Sequence, residues 1–151
     1  MNILNWVKNT WLLVCMLLVF TALLFSGCSP VNPVQNIMVF PRQGENIIPP
    51  SSWMLFTNPF PTGISHVFQP EDEMLVGIVI SGEIDASVTF DKITFLNKDS
   101  LEEVILSSDL GPYEPDQSFY IPFYVPDEQG TFQVTVYAGS KAAAKALFQV
   151  E

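Results

Sequence analysis

From residue 52 onward, apolar side chains recur with a period of two, and clusters of turn-forming residues interrupt them at short intervals. Met74–Ile80 is apolar at every position except Gly77, which favours a central strand buried on both faces. Phe119–Val125 and Phe132–Val136 alternate instead, as half-buried antiparallel strands do. The pattern predicts an all-β fold, an antiparallel β-sandwich of about seven strands over residues 52–151.

The alternation also predicts which side chains face the core in the penultimate strand. Phe132, Val134 and Val136 are expected on the core side. The intervening side chains, expected in solvent, are Thr131, Gln133 and Thr135. Pro122 has no N–H to donate to a ladder, so its strand is predicted at a sheet edge or interrupted there.

Two segments allow more than one structure. Lys141–Leu147 is rich in alanine and favours a helix by propensity. We predict a strand instead, because Ala138–Lys141 stands where a hairpin turn belongs and Phe148 and Val150 continue the alternation. Ile37–Phe40 is a short apolar run that is either a first strand docked on the domain or part of the preceding linker.

The N-terminal segment has the order of an export signal. Trp11–Phe25 is an uncharged, mainly apolar run of fifteen residues, preceded by Lys8. A membrane-spanning helix needs about 20 apolar residues, so a run of this length followed by small residues better fits the apolar region of a signal peptide.

Leu24–Cys28 resembles the lipobox of bacterial lipoproteins, in which two small residues precede a cysteine that is lipidated on sulfur. Phe25 departs from the pattern, because the family usually has Leu three residues before the cysteine. The resemblance implies a signal peptide over residues 1–27, lipid attachment at Cys28, and a domain on the extracytoplasmic side of the cell membrane or outer membrane. The alternative is an uncleaved hydrophobic anchor helix.

Residues 28–51 are then the lipidated cysteine and a tether. The tether is rich in proline, at Pro30, Pro33, Pro41, Pro49 and Pro50. Because proline favours extended backbone, the 23 residues after Cys28 could span roughly 70 Å at about 3.1 Å per residue.

The closing motif, Gly130-x-Phe132-x-Val134-x-Val136-Tyr137 followed by Phe148-x-Val150, resembles the immunoglobulin-like and fibronectin-III-like sandwiches of bacterial surface proteins. The resemblance implies a fold and brings no ligand site with it.

Charge restricts the partners. The chain has 6 Lys and Arg against 16 Asp and Glu, a net charge of −10, and removal of residues 1–27 takes Lys8 but no acid, which leaves −11. Such a field repels nucleic acid. Cys15 would leave with the signal peptide, so Cys28 would be the one remaining cysteine and no disulfide is expected.

Catalytic motifs are absent from the sequence, and no cofactor or metal site is predicted. His66 is the single histidine and is expected to be an ordinary loop or strand residue. The hard oxygen ligands that Ca²⁺ prefers are present, but their two clusters were expected at opposite ends of the sandwich. They are Glu71, Asp72, Glu73, Asp127 and Glu128.

The best binding candidates in the sequence are Tyr113, Tyr120 and Tyr124. Tyr120 and Tyr124 lie on the strand face opposite Phe119, Ile121 and Phe123, where outward rings could stack on a sugar or a partner protein. We therefore predict a lipid-anchored, non-enzymatic binding or structural module at the cell envelope, whose partners are membrane lipid and a protein or glycan. The alternative is a small envelope hydrolase that uses surface carboxylates.

Overall fold

The computed structural model describes residues 16, 31–42 and 58–151. The predicted signal peptide (1–27) lies outside this range apart from residue 16, as do Cys28, residues 29–30 and 43–51 of the predicted tether, and residues 52–57 of the predicted domain. Asn32–Glu151 forms one compact unit. No helix in the described residues is long and apolar enough to cross a membrane.

The described part of the unit consists of eight strands in two sheets. The three-stranded sheet has the order β1-β3-β6, and the five-stranded sheet has the order β2-β8-β7-β4-β5. The strands are β1 (Val34–Pro41), β2 (Ile64–Phe68), β3 (Glu73–Ile80), β4 (Val88–Asn97), β5 (Glu103–Tyr113), β6 (Ser118–Tyr124), β7 (Gly130–Ala138) and β8 (Lys141–Val150). The all-β prediction is confirmed.

The strand order is that of an immunoglobulin-like sandwich. Consecutive strands lie in different sheets at every step except β4–β5 and β7–β8, which are hairpins. All pairings are antiparallel except that of β2 with β8. β5 extends the larger sheet beyond β4 as an additional edge strand.

β1 belongs to the sandwich. Ile37 pairs with Ile78 and Val39 with Val76 across an antiparallel ladder with β3. Ile37 and Val39 are buried in the core. The alternative left open for Ile37–Phe40 is therefore resolved as a strand, and a domain starting at residue 52 would omit it.

β3 is buried from Met74 to Ile80, as predicted for a central strand. It lies between β1 and β6. Pro122 of β6 faces Leu75 of β3, and no other described strand pairs with β6. The edge position predicted from Pro122 is confirmed, because an edge strand tolerates a missing donor.

Aromatic rings fill the space between the sheets. The Phe148 ring lies 5.7 Å from that of Phe68 and 5.4 Å from those of Phe95 and Phe132. Phe95 in turn meets Phe123 of the smaller sheet at 5.6 Å. Such contacts add to the stabilisation from burial, so the position of these rings sets how the two sheets stack.

The alanine-rich segment Lys141–Val150 is a strand, as predicted, despite its helix propensity. β8 lies between β7 and β2, and its Ala144, Ala146 and Phe148 are fully buried. Gly139 has a φ of 63° in the turn that joins it to β7. Backbone pairing on both sides and burial of one face outweigh local propensity.

The faces of β7 follow the prediction at five of six positions. Phe132, Val134 and Val136 are buried, whereas Thr131 and Gln133 are half-buried on the outer face. Thr135 is 1% exposed, so its prediction as a solvent residue is wrong. β7 is flanked by two strands, and Gln133 Nε2 donates to Thr135 Oγ1 at 3.0 Å, so neighbouring side chains cover this hydroxyl.

Neighbouring residues of β8 test the assigned faces. Phe148→Ala in residues 32–151 should lower the free energy of unfolding by about 3–5 kcal/mol, because a fully buried ring is lost and a cavity remains. Gln149→Ala on the outer face should change it by no more than about 0.5 kcal/mol. Urea melts followed by far-UV circular dichroism measure both, and equal losses would contradict the strand.

Candidate functional site

Tyr120 and Tyr124 lie on the outer face of β6, as predicted. The Tyr124 side chain is 71% exposed, and its hydroxyl donates to Glu73 Oε1 at 3.4 Å. Glu73 also forms an ion pair with Arg42, with Nη1 and Oε2 3.2 Å apart. Tyr120 is half-buried, with its ring edge-on to that of Phe40 at a centroid distance of 6.2 Å. Tyr124 is the more accessible of the two.

Tyr113 lies elsewhere. At the end of β5, its ring stacks on that of Phe119 at 3.7 Å with an interplanar angle of 4°, and it is 6.1 Å from Phe90. Phe119 faces the core, so Tyr113 closes one end of the core instead of joining the outer face of β6. The structure does not bring the three tyrosines together as one surface.

Burial raises the pKa of the Tyr113 phenol above its ordinary value. The pKa of Tyr137 is also raised, by burial first and then by the carboxylate of Glu103, which accepts the phenol hydrogen bond at 3.4 Å. Both phenols therefore hold their protons more firmly than a tyrosine in water.

A groove opens where the smaller sheet ends. β6 packs over β4, with Phe119 opposite Phe90 and Phe123 opposite Phe95. β5 lies one strand further out and pairs with β4 alone among the described strands. The inner face of β5 is therefore left partly uncovered, and a cavity of about 400 Å³ lies beside it.

The groove has an apolar floor and an acidic rim. Its lining consists of Phe95, Asn97, Glu102, Val104, Leu106, Tyr124, Pro126, Asp127, Glu128 and Phe132. The inner positions follow strand alternation, since Glu102, Val104 and Leu106 line the groove while Glu103 and Ile105 point to the opposite face. Val104 is 53% exposed and Ile105 61% exposed, so this edge carries accessible apolar side chains on both faces.

Asn97 organises the rim. Its side chain is buried, and its Nδ2 donates to Glu128 Oε2 at 3.0 Å. Its Oδ1 accepts the backbone N–H groups of Asp99 at 2.9 Å and Ser100 at 3.2 Å, which shapes the turn between β4 and β5. One asparagine thus holds both the turn and a carboxylate of the β6–β7 loop beside the groove.

Leu101, in the same turn, combines two unfavourable features. Its φ is 61°, a left-handed backbone conformation that residues other than Gly, Asn and Asp rarely adopt. Its side chain is 73% exposed.

The sequence analysis expects the two carboxylate clusters at opposite ends of the sandwich, and this expectation is wrong. Glu73 pairs with Tyr124 in the ladder, and the Val125 N–H donates to Asp72 O at 2.9 Å, so both clusters lie at the same end. No three His, Cys, Asp or Glu side chains converge as metal ligands in residues 31–42 and 58–151. His66 is an exposed strand residue of β2, with its ring 4.6 Å from that of Phe68.

Tyr124, which the sequence singled out, lines the groove, whereas Val104, Leu106 and the floor of the groove were not singled out. Val104–Leu106 is three consecutive apolar residues in a strand, more than alternation requires, and that excess was the available signal. Phe132 is predicted on the core side of its strand, and whether Phe95 and Phe132 also reach the groove depends on how far the smaller sheet extends.

No protein-family model matches the chain, and no curated protein sequence matches it. Among solved structures, the chain is similar to a crystal structure of an immunoglobulin-like protein from Pseudomonas aeruginosa. The two are 14% identical with a TM-score of 0.43, over 82% of this chain and 100% of the other. The strand order of the two sheets is what identifies the fold as an immunoglobulin-like sandwich.

The raised pKa of Tyr113 predicts a loss of stability in alkali. Above about pH 10 the unfolded phenol ionises while the folded one keeps its proton, so this contribution is full below that pH and is lost as pH rises through the folded pKa. Urea midpoints of residues 32–151 at about pH 8 and about pH 11 should therefore differ less in Tyr113→Phe than in the parent. An equal fall in both proteins would contradict the assignment.

Proposed function

We propose that the protein is a lipid-anchored, extracytoplasmic binding module that holds a protein partner in the groove between β5 and β6. It acts by recognition and not by catalysis. The observation that carries the proposal is the groove itself, in which the exposed side chain of Val104 lies beside buried aromatic rings and is bordered by Glu102, Asp127 and Glu128. A contiguous apolar surface with a polar rim is typical of sites that bind other molecules.

Two described contacts hold side chains of the site in place. Val104 pairs with Phe95 in the β4–β5 ladder, and Asn97 holds the side chain of Glu128. A site whose walls are fixed before binding loses less conformational entropy when it is occupied. These features support binding of a defined partner by a preformed groove.

The anchor adds a constraint on where the groove would lie. The sandwich begins with β1 at Val34, and Asn32 is already docked through its Nδ2, which donates to Ala143 O at 2.9 Å. If Cys28 carries the lipid, only residues 29–31 separate it from a docked residue, a span of at most about 14 Å. We propose that the module works close to the membrane surface and not at the end of a long tether.

Lipid attachment predicts that Cys28→Ser blocks labelling of the protein by a clickable palmitate in the producing bacterium and leaves the unprocessed precursor. Two or three acyl chains would hold the parent stably, whereas the variant would depend on its uncleaved segment. In-gel fluorescence and intact mass measure both effects. Cys15→Ser is the matched control and should label as the parent does, and equal labelling of Cys28→Ser would contradict the proposal.

Partner binding predicts position-specific crosslinking. The photo-crosslinking residue p-benzoylphenylalanine at Tyr124, on the groove wall, should give a discrete adduct in cells under ultraviolet light. The control carries p-benzoylphenylalanine at Val67 instead. Val67 is an exposed apolar position on β2, the other edge strand of the five-stranded sheet. The Tyr124 adduct should disappear when Val104→Ser removes part of the groove floor and persist with Ile105→Ser. Identical adducts at both positions, or none at Tyr124, would contradict the proposed function.

A further inference from the structure

We infer that the partner is an extended protein segment with alternating apolar and basic side chains, which adds as a strand to the free edge of β5. The inference rests on the proposed function, because it assigns the chemistry of what the groove holds. Three independent features carry it: the backbone edge, the spacing of the groove and the charge around both.

β5 is the sheet edge in the described structure that is best able to accept another strand. β6 lacks a donor at Pro122, and β2 keeps a regular register with β8 only at Val67 and Phe68. β1 is bounded by Pro33 and ends at Pro41. β5 has eleven residues, and its single proline, Pro112, lies near its end. The segment Glu103–Ile105 carries neither proline nor lysine, which are two of the devices that protect sheet edges against strand addition.

The backbone of β5 offers hydrogen bonds on its outer side. In an antiparallel pair, alternate residues direct their N–H and C=O groups away from the partner strand. β5 pairs with β4 from Glu103 to Tyr113, and no described strand pairs with the other side. The register shifts between Ile93 and Thr94, which gives β5 a bulge near Leu106, so the segment most suited to a new ladder is Glu103–Ile105 with its immediate neighbours.

The groove fits the side chains of such a strand. In an extended chain, side chains on one face recur about every 6.6–6.8 Å. A strand laid along β5 would direct every second side chain toward Val104 and Leu106, into a cavity of about 400 Å³, which is within the range of volumes of ligand pockets. The remaining side chains would lie beside Ile105, on the exposed face.

Charge selects a basic segment and disfavours a second copy of this chain. Among the groove-lining residues three are acidic, and none is Lys or Arg. β5 itself contains Glu103 and Asp109 and no basic residue. Two copies joined edge to edge through β5 would bring these carboxylates together, whereas lysines or arginines that flank apolar residues would pair with the rim.

The test uses the full-length protein in phosphatidylcholine nanodiscs and fluorescent heptapeptides, measured by anisotropy against empty discs. The first peptide alternates lysine and valine, and its acidic counterpart alternates glutamate and valine. The basic peptide should bind, and the acidic one should bind at least about tenfold more weakly. Two further versions of the basic peptide are methylated on backbone nitrogens, one at the valines and the other at the internal lysines. Each version therefore lacks one set of alternate backbone N–H groups.

Strand addition predicts an asymmetry between the two methylated peptides. Only one set of N–H groups faces β5, so one peptide should lose at least about tenfold in affinity while the other binds nearly as the parent does. Val104→Ser should weaken the parent peptide more than Ile105→Ser does, because only Val104 lines the groove. Both variants lose an exposed β-branched side chain from the same strand, so their effects on folding are matched.

The outcomes separate this inference from the proposed function. Equal binding of the two methylated peptides overturns strand addition, and equal binding of acidic and basic peptides overturns the charge assignment. Failure of every peptide, with a Tyr124 adduct still formed in cells, overturns the partner chemistry and leaves the groove as a binding site. A Tyr124 adduct whose mass is that of a second copy of the chain overturns the inference in favour of self-association.

Discussion

The unequal size of the two sheets is the constraint on which the rest of the structure depends. Three strands spaced about 4.8 Å apart cannot cover five, and the difference leaves roughly two strand widths of the larger sheet unmatched. β1 approaches β8 and β2, and β6 lies over β4, so much of the uncovered surface falls on β5. The position of the groove follows from this mismatch.

The aromatic core determines which strand of the larger sheet β6 covers. Phe119 and Phe123 meet Phe90 and Phe95 of β4, and these contacts set the position of β6 above that strand. Beyond it, Phe95 and Phe132 contribute to the core and also to the floor of the groove. Core and candidate site are thus one continuous apolar layer.

Much of the fold could be predicted from local pattern. The alternation of β7, the burial of β3 and the edge position that Pro122 requires depend on neighbouring residues along one strand, and the structure agrees. Thr135 differs because coverage by adjacent strands and by Gln133 is a non-local property. Tyr113 was grouped with Tyr120 and Tyr124 by sequence proximity, whereas its stacking on Phe119 depends on where the end of β5 meets β6. The groove could not be predicted for the same reason, since no strand reveals how far the opposite sheet extends.

The central claim is that β5 is a free edge beside an open groove, and hydrogen–deuterium exchange measured by mass spectrometry tests it most directly. In the full-length protein in zwitterionic nanodiscs, peptides from β5 should exchange about half of their amides far faster than peptides from β7, which is paired on both sides. Protection of β5 equal to that of β7, in the absence of any partner, would show that the edge is already covered and would contradict the account.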